Sequence, residues 1–320
     1  MSAINGVNFL SLKTWWPPHL VAQKHPSVTL SRKLATFLVA LQLVRTFNRY
    51  ISQKKQNNWV RARPWAASKE LVLITGGSSG IGKQIVLDLA KLEVKTIIFD
   101  VQEPDFPLPP NVFFYNVDIT SPIAIHEAAT RAHHEHGDPT VLINNAGVGY
   151  MGTIIDEPES NIRRTIEVNT LSHFWLVKEF LPAMIKNDHG HIITIASMAS
   201  FAGLGGMADY ASSKAAVLSF HESLTQEIRH SYASNRVRTS IIHPMWVQTP
   251  LINDLLISCA QTRNAMLSAK DVSSAVLEQL VRGNGGQIVL PWWLGVASIL
   301  RGLPIWLQEM VRDRYSRRIT

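Results

Sequence analysis

From Leu71 onward the chain repeats one kind of segment seven times. LVLITGG (71–77), KTIIFD (95–100), NVFFYNVD (111–118), TVLINNAG (140–147), GHIITIAS (190–197), RVRTSIIHP (236–244) and GQIVLP (286–291) are short runs rich in β-branched and aromatic residues. Their apolar character is nearly unbroken, as strands covered on both faces require. Helix-like stretches at 80–92, 122–136, 158–187, 209–233 and 270–282 lie between them. This alternation predicts an α/β, doubly wound domain on a parallel sheet over 70–290. EPDFPLPP (103–110) reads as a proline-rich surface loop, and no repeat of solenoid length is present.

The first strand runs directly into Thr75-Gly76-x-x-x-Gly80-x-Gly82 and then a helix. Gly76 suits a tight turn, Gly80 a close approach to a pyrophosphate, and Gly82 tight helix–strand packing. The helix N-terminus offers N–H groups and partial positive charge to phosphates. Ser78, Ser79 and Ile81 complete the expected loop contacts. The competing reading, a glycine-rich turn without ligand, is weakened by the strand–turn–helix context. The domain is thus expected to be a Rossmann-type dinucleotide binder.

Asp100 ends the second strand, where a carboxylate accepts hydrogen bonds from both ribose hydroxyls of NAD and repels the 2′-phosphate of NADP. No arginine lies in the glycine loop to neutralise that phosphate, although Lys83 is close, so NAD is expected ahead of NADP. A solvated strand-end Asp is the plain alternative. Asp118 either bonds an adenine amino group or caps the helix beginning near Ser121. Asn145-Ala146-Gly147 leaves room beside the sheet for the cofactor, and Asn144 ties neighbouring strands or joins the site.

SMASFAGLGGMADYASSK (197–214) is mostly small and apolar, except for Ser197, Tyr210 and Lys214. The last two are four apart on a helix and share a face. Hydride transfer at a carbonyl carbon requires a proton moved at its oxygen. A phenol, with pKa about 10, is a poor base at neutral pH. An ammonium about 4 Å away, at an effective dielectric of about 20, would favour the phenolate by about 4 kcal/mol, roughly three pKa units. Tyr210 is then the expected general acid/base, Lys214 its charge partner and a ribose contact, and Ser197 the donor to the substrate oxygen.

Together TGGSSGIG, Asp100, NNAG, Asn169 in EVNTLSHFW, Ser197 and YASSK resemble the short-chain dehydrogenase/reductase family over nearly all of 70–290. The resemblance implies that Asn169 completes a catalytic tetrad by holding a water that links the lysine to solvent. The plain reading of Asn169 is a helix kink filled by an amide. It also implies that Val247 and Thr249 meet the nicotinamide carboxamide. The family's usual Pro-Gly is here Pro244-Met245, and methionine disfavours the positive φ that glycine tolerates. VNTLSHFWLVKEFLPAMIKNDHGHIITIAS closely resembles the membrane-associated retinol dehydrogenase and type 11-like 17β-hydroxysteroid dehydrogenase branch. That implies a lipophilic alcohol or ketone substrate (retinoid, steroid or fatty alcohol). PLINDLLISCA (250–260) is either a lid on such a substrate or a helix packed on the core.

Charge divides the chain. Residues 1–69 hold eleven Lys/Arg and no Asp or Glu, while 70–320 hold twenty basic and twenty-four acidic residues. The excess belongs to one tail, which opposes a nucleic-acid-binding core and suits an anionic membrane or lipid-droplet surface. Leu34–Val44 as a helix spans only about 16 Å against about 30 Å of hydrocarbon. With Trp15 and Trp16, it reads as a shallow anchor or one tilted span, placing the domain on the cytoplasmic face of the endoplasmic reticulum or a lipid droplet. A mitochondrial transit peptide is the rival. The tryptophan-rich 291–320 extension either meets the membrane, forms a homodimer contact or packs on the core. His133, His134 and His136 lack partners for a metal site, so none is expected. His243, before a proline at a strand end, reads as structural. The single Cys259 suits a reducing compartment. The alternatives to a membrane-bound alcohol/ketone oxidoreductase are a soluble NADPH-dependent ketoreductase and a catalytically idle dinucleotide- or lipid-binding scaffold.

Overall fold

A computed structural model describes residues 26–255 and 266–316. Trp15, Trp16, Cys259 and the end of 250–260 lie outside the described residues. The described residues up to Ser52 form one compact unit and those from Gln53 onward another. Helix α1 (Pro26–Gln56) carries exposed Leu34, Phe37, Leu38, Leu43, Val44 and Phe47. Among the described residues no helix is long and apolar enough to cross a membrane.

The larger unit is built on one parallel sheet of seven strands. They are β1 (Leu71–Thr75), β2 (Lys95–Asp100), β3 (Val112–Asn116), β4 (Val141–Asn144), β5 (Gly190–Ile195), β6 (Val237–Pro244) and β7 (Gly286–Leu290), in the order β3-β2-β1-β4-β5-β6-β7. All seven expected strands form. Side chains alternate between two cores, as the two-residue period of a strand demands. Leu73, Ile97 and Phe99 pack against α3 (Pro122–His136), α5 (Ser172–Lys186) and α6 (Ala208–His230). Val72, Ile74 and Ile98 pack against α2 (Gly80–Lys91) and α8 (Ala269–Arg282). The strands covered on both faces are the inner ones. β3 and β7 are edges, and Phe113, Phe114 and most of β7 remain half-buried.

Chain order reverses between β1 and β4, which opens a crevice at the carboxyl ends of the central strands. The stretch expected as one helix over 158–187 is α4 (Glu159–Ile166), a π turn at Glu167–Leu171 and α5 in succession. Ahead of the sheet, Asn57 exchanges hydrogen bonds with Gly285 through Oδ1 (2.8 Å) and Nδ2 (3.3 Å). Arg238 donates to the Val60 carbonyl at 2.6 Å, so the segment before Leu71 is fastened to the sheet. Short α7 (Pro250–Leu255) begins the expected 250–260 segment. A 3₁₀ stretch, Trp292–Gly302, and α9 (Ile305–Ser316) form the carboxyl-terminal extension.

Candidate active site

The crevice opens into a cavity of about 720 Å³. Gly76, Ser79, Gly80, Ile81, Asp100, Asp118, Asn145, Ala146, Gly147, Ser197, Tyr210, Lys214, Val247 and Thr249 all line it. Ser78, Gly82 and Asn169, expected in the site, are not part of this lining but contact Asp100, Gly76 and Val148, which are.

Gly76 adopts φ +65°, and a Cβ there would lie 2.8 Å from the Ala146 Cα. A Cβ on Gly82 would lie 2.0 Å from the Gly76 carbonyl oxygen, so only glycine lets α2 start this close to the turn. Ser79 is the N-cap of α2 but its side chain makes no capping hydrogen bond, which leaves that helix end open toward the cavity. The buried Ser78 hydroxyl donates to the Gln102 carbonyl at 2.6 Å and its N–H to Asp100 Oδ2 at 3.0 Å. Gln102 N–H donates to Asp100 Oδ1 at 3.1 Å. Asp100 is thereby aimed at the cavity from the end of β2. Lys83, the cation noted close to the place of a 2′-phosphate, is held by Asp105 at 2.7 Å and lies over the Phe106 ring. The helix cap near 121 is Ser121, which accepts from Ala124 N–H at 3.2 Å. Asp118 instead closes a turn with the N–H and hydroxyl of Thr120, and it faces the cavity.

Asn145 spends its amide on the carbonyls of Thr75 (3.0 Å) and Gly76 (2.9 Å), bracing the glycine loop. Thr75 Oγ1 accepts from the N–H groups of Asn145 and Ala146, both at 3.1 Å. Asn144 is fully buried beside Thr194, and neither its Nδ2 nor its Oδ1 has a hydrogen-bond partner among the described residues. It therefore makes no side-chain tie between strands. These residues form a cradle whose close backbone approaches, open helix end and fixed carboxylate fit a dinucleotide.

Ser197, half-buried, follows β5, while Tyr210 and Lys214 project from α6. Burial raises the Tyr210 pKa, and a hydrogen bond with Ser197 pulls it the other way. The Lys214 ammonium lies 5.7 Å from the tyrosine ring centroid and donates to the Ile195 carbonyl at 3.1 Å. Burial pushes its own pKa down to about 8. The expected lowering of the phenol by the lysine is therefore not the net effect. Desolvation opposes both charges, and the ammonium is directed at a backbone oxygen.

Asn169 sits in the π turn and is fully buried. Its Oδ1 accepts from Val148 N–H at 2.8 Å, and its Nδ2 donates to the Val148 carbonyl (2.8 Å) and Ser213 Oγ (3.0 Å). The amide thus ties the loop after β4 to α6. Met245 does not adopt positive φ. Its N–H donates to the Leu290 carbonyl at 2.8 Å, extending the pairing with β7, so this turn has no need of glycine. Thr249 lies beside Gly80, where an added Cβ would come within 3.3 Å of its Cγ2.

Beyond Tyr210 the wall turns apolar. Met207 and Ile252 cluster with Leu204, Trp246, Leu251 and Met266, so the start of 250–260 does border the cavity. Several lining groups were not foreseen. Arg164 reaches the wall from α4, and Leu294, Val296, Leu300, Leu303 and Val311 reach it from the carboxyl-terminal extension. The apolar run of 292–300 was the available signal. His243 is another. Its Nδ1 donates to the Ser197 carbonyl at 3.0 Å, Gln287 faces its Nε2 at 3.3 Å, and its ring lies against Phe201. Among the described residues no group of His, Cys, Asp or Glu could hold a metal ion.

Residues 70–257 match the short chain dehydrogenase family. A relative described as dehydrogenase RED2 of Cochliobolus heterostrophus is 42% identical over 70% of this chain and 86% of its own length. Estradiol 17-beta-dehydrogenase 11 of Rattus norvegicus is 31% identical over 89% of this chain and 93% of its own. A short chain dehydrogenase/reductase structure from Burkholderia phymatum in complex with NAD shares the fold, with TM-score 0.66 at 24% identity over 75% of this chain and 95% of the other. With the cradle, the Ser197–Tyr210–Lys214 wall and these likenesses in agreement, the chain belongs to the short-chain dehydrogenase/reductase family and is an oxidoreductase acting on CH–OH groups with an NAD(P)-binding Rossmann fold.

Proposed function

We propose that this oxidoreductase interconverts a lipophilic alcohol of the retinoid, steroid or fatty-alcohol type and its carbonyl, using NAD in preference to NADP. The observation that carries the reading is one cavity lined by the dinucleotide cradle, by Ser197, Tyr210 and Lys214, and by apolar Leu204, Met207, Trp246, Leu251 and Ile252. The likeness to an estradiol dehydrogenase supports the substrate class.

When bound, the nicotinamide supplies or accepts the hydride. The chain's own residues do the rest. The Ser197 hydroxyl orients the substrate oxygen. Tyr210, kept protonated by burial, donates its proton to a carbonyl oxygen in reduction. Oxidation needs the phenolate, and the hydrogen bond with Ser197 pulls Tyr210 in that direction against its burial. Asn169 keeps Val148 and α6 in register, so that the lysine and the phenol hold their places. Asp100 accepts from ribose hydroxyls and disfavours a 2′-phosphate, a preference supported by the pairing of Lys83 with Asp105. Apolar Leu204, Met207, Trp246, Leu251 and Ile252 exclude water from the reacting carbon.

Location is part of the same proposal. The acid-free basic tail and the exposed apolar side chains of α1 support attachment to the cytoplasmic face of the endoplasmic reticulum or a lipid droplet. The test is a purified-enzyme assay with NAD and NADP against retinol, a 17β-hydroxysteroid and a long-chain fatty alcohol. Oxidation of at least one, faster with NAD, is expected. No turnover of any with either dinucleotide would leave the scaffold alternative standing. Recovery of full-length protein in the cytosol or mitochondrial matrix would sink the location.

A further inference from the structure

The carboxyl-terminal extension has two apolar faces. On the inner face, Leu300 is 5% exposed, and Leu294, Ala297, Leu303 and Val311 join it along the cavity wall. On the outer face, Trp292 is 80% exposed, Trp293 61%, Ile299 56%, Trp306 65% and Met310 57%. Val296 belongs to both, since it lines the cavity and is 65% exposed, so it marks the rim where the cavity meets the outer face. The extension is fastened to the loop that follows Ser197. Arg301 donates to the carbonyls of Phe201 (3.3 Å) and Ser200 (3.4 Å), and Gly205 N–H donates to Ser316 Oγ at 3.2 Å. The outer face is therefore a held surface.

Soluble monomers rarely show so many large apolar side chains together. Two features of the molecule name the occupant. Tryptophans of this kind favour the boundary between headgroups and hydrocarbon, and residues 291–320 carry five arginines against two acidic residues, which complements an anionic lipid surface. The patch is also continuous with the apolar end of the cavity. We propose that the outer face of 292–310 docks on an anionic lipid surface and that the rim at Val296 opens there, so that substrate enters from lipid. The entry route rests on the lipophilic-substrate reading above, whereas the docking does not.

Two measurements on the full-length protein decide it. The first is amide hydrogen exchange with and without vesicles of phosphatidylcholine containing phosphatidylserine. Protection of 292–310 on vesicle addition is expected. Vesicle binding without protection there overturns the docking. So does protection that follows protein concentration in the absence of vesicles, together with a dimer mass by light scattering, because a second copy would then cover the face. The second measurement compares wild type with the Trp292→Ser/Trp293→Ser/Trp306→Ser variant. Turnover of a vesicle-embedded long-chain alcohol should fall about tenfold or more as interfacial burial is lost, with kcat/KM for a short water-soluble secondary alcohol unchanged. Equal loss on both substrates, or on neither, refutes the entry route. Protection of 292–310 in a protein that turns over no lipophilic alcohol would refute the substrate reading and leave the docking in place.

Discussion

Four buried histidines should make this protein acid-labile well above the range where its carboxylates titrate. His173, His191 and His221 are 2%, 6% and 7% exposed, and His243 is fully buried. Burial pushes the first three down to about 3 and His243 to about 4, from an ordinary 6.5. Lys214 also lowers His173 and His243, Arg238 lowers His191, and the Ser197 carbonyl partly offsets the fall at His243. All four stay neutral in the folded protein at pH 5, whereas in the unfolded chain they protonate near 6.5. The unfolded state then holds nearly four more protons, so stability falls as pH falls. Each group contributes about 2 kcal/mol of loss between pH 7 and 5, about 8 kcal/mol together. That is on the scale of the whole stability of an ordinary domain, about 5–15 kcal/mol. Asp88 acts in a separate window. Held at about 2 by hydrogen bonds from Lys270, Ser273 and Gln84 that outweigh its burial, it contributes stability that is present above 3.8 and lost only as pH falls toward 2. Thermal melts of full-length protein from pH 8 to 5 should be level above 7 and drop on the order of 20 °C by pH 5. Nδ1 of His221 has no hydrogen-bond partner among the described residues, so His221→Gln should remove about one proton's share of that slope. A melting temperature that is flat from pH 7 to 5, or an unchanged slope in His221→Gln, would refute the reasoning.

Three further outcomes follow from the site. Tyr210→Phe should lower kcat about 10²-fold or more while the dissociation constant for the dinucleotide, measured by calorimetry, stays near wild type. Asp100→Ser should reduce kcat/KM with NAD and raise it with NADP, and a wild type that already prefers NADP would contradict the assignment of the β2 carboxylate. Gly82→Ala would place a Cβ 2.0 Å from the Gly76 carbonyl oxygen, so dinucleotide binding should be lost and the melting temperature lowered. Binding equal to wild type would show that the start of α2 yields more readily than its packing implies.

The sequence by itself determined what depends on near neighbours along the chain. Seven apolar runs gave seven strands, because a strand buried on both faces must be apolar at successive positions. Gly76, Gly80 and Gly82 between a strand and a helix specified the cradle, since close backbone approaches within one turn exclude a side chain. Tyr210 and Lys214 were legible as a pair because a helix brings residues four apart to one face. Tertiary structure decided what joins distant segments. Asn169 is bonded to Val148 and Ser213 across chain separations of 21 and 44 residues, which no local spacing encodes. Met245 escapes positive φ by pairing with β7, and His243 holds Ser197 from a neighbouring strand. The extension from Trp292 reaches the cavity only because the order of the strands returns it there. The direction of the Tyr210 pKa is set in the same way. Spacing brings an ammonium near a phenol, but how far each is desolvated, and which carbonyl claims the ammonium, are set by the packing of the whole domain around them.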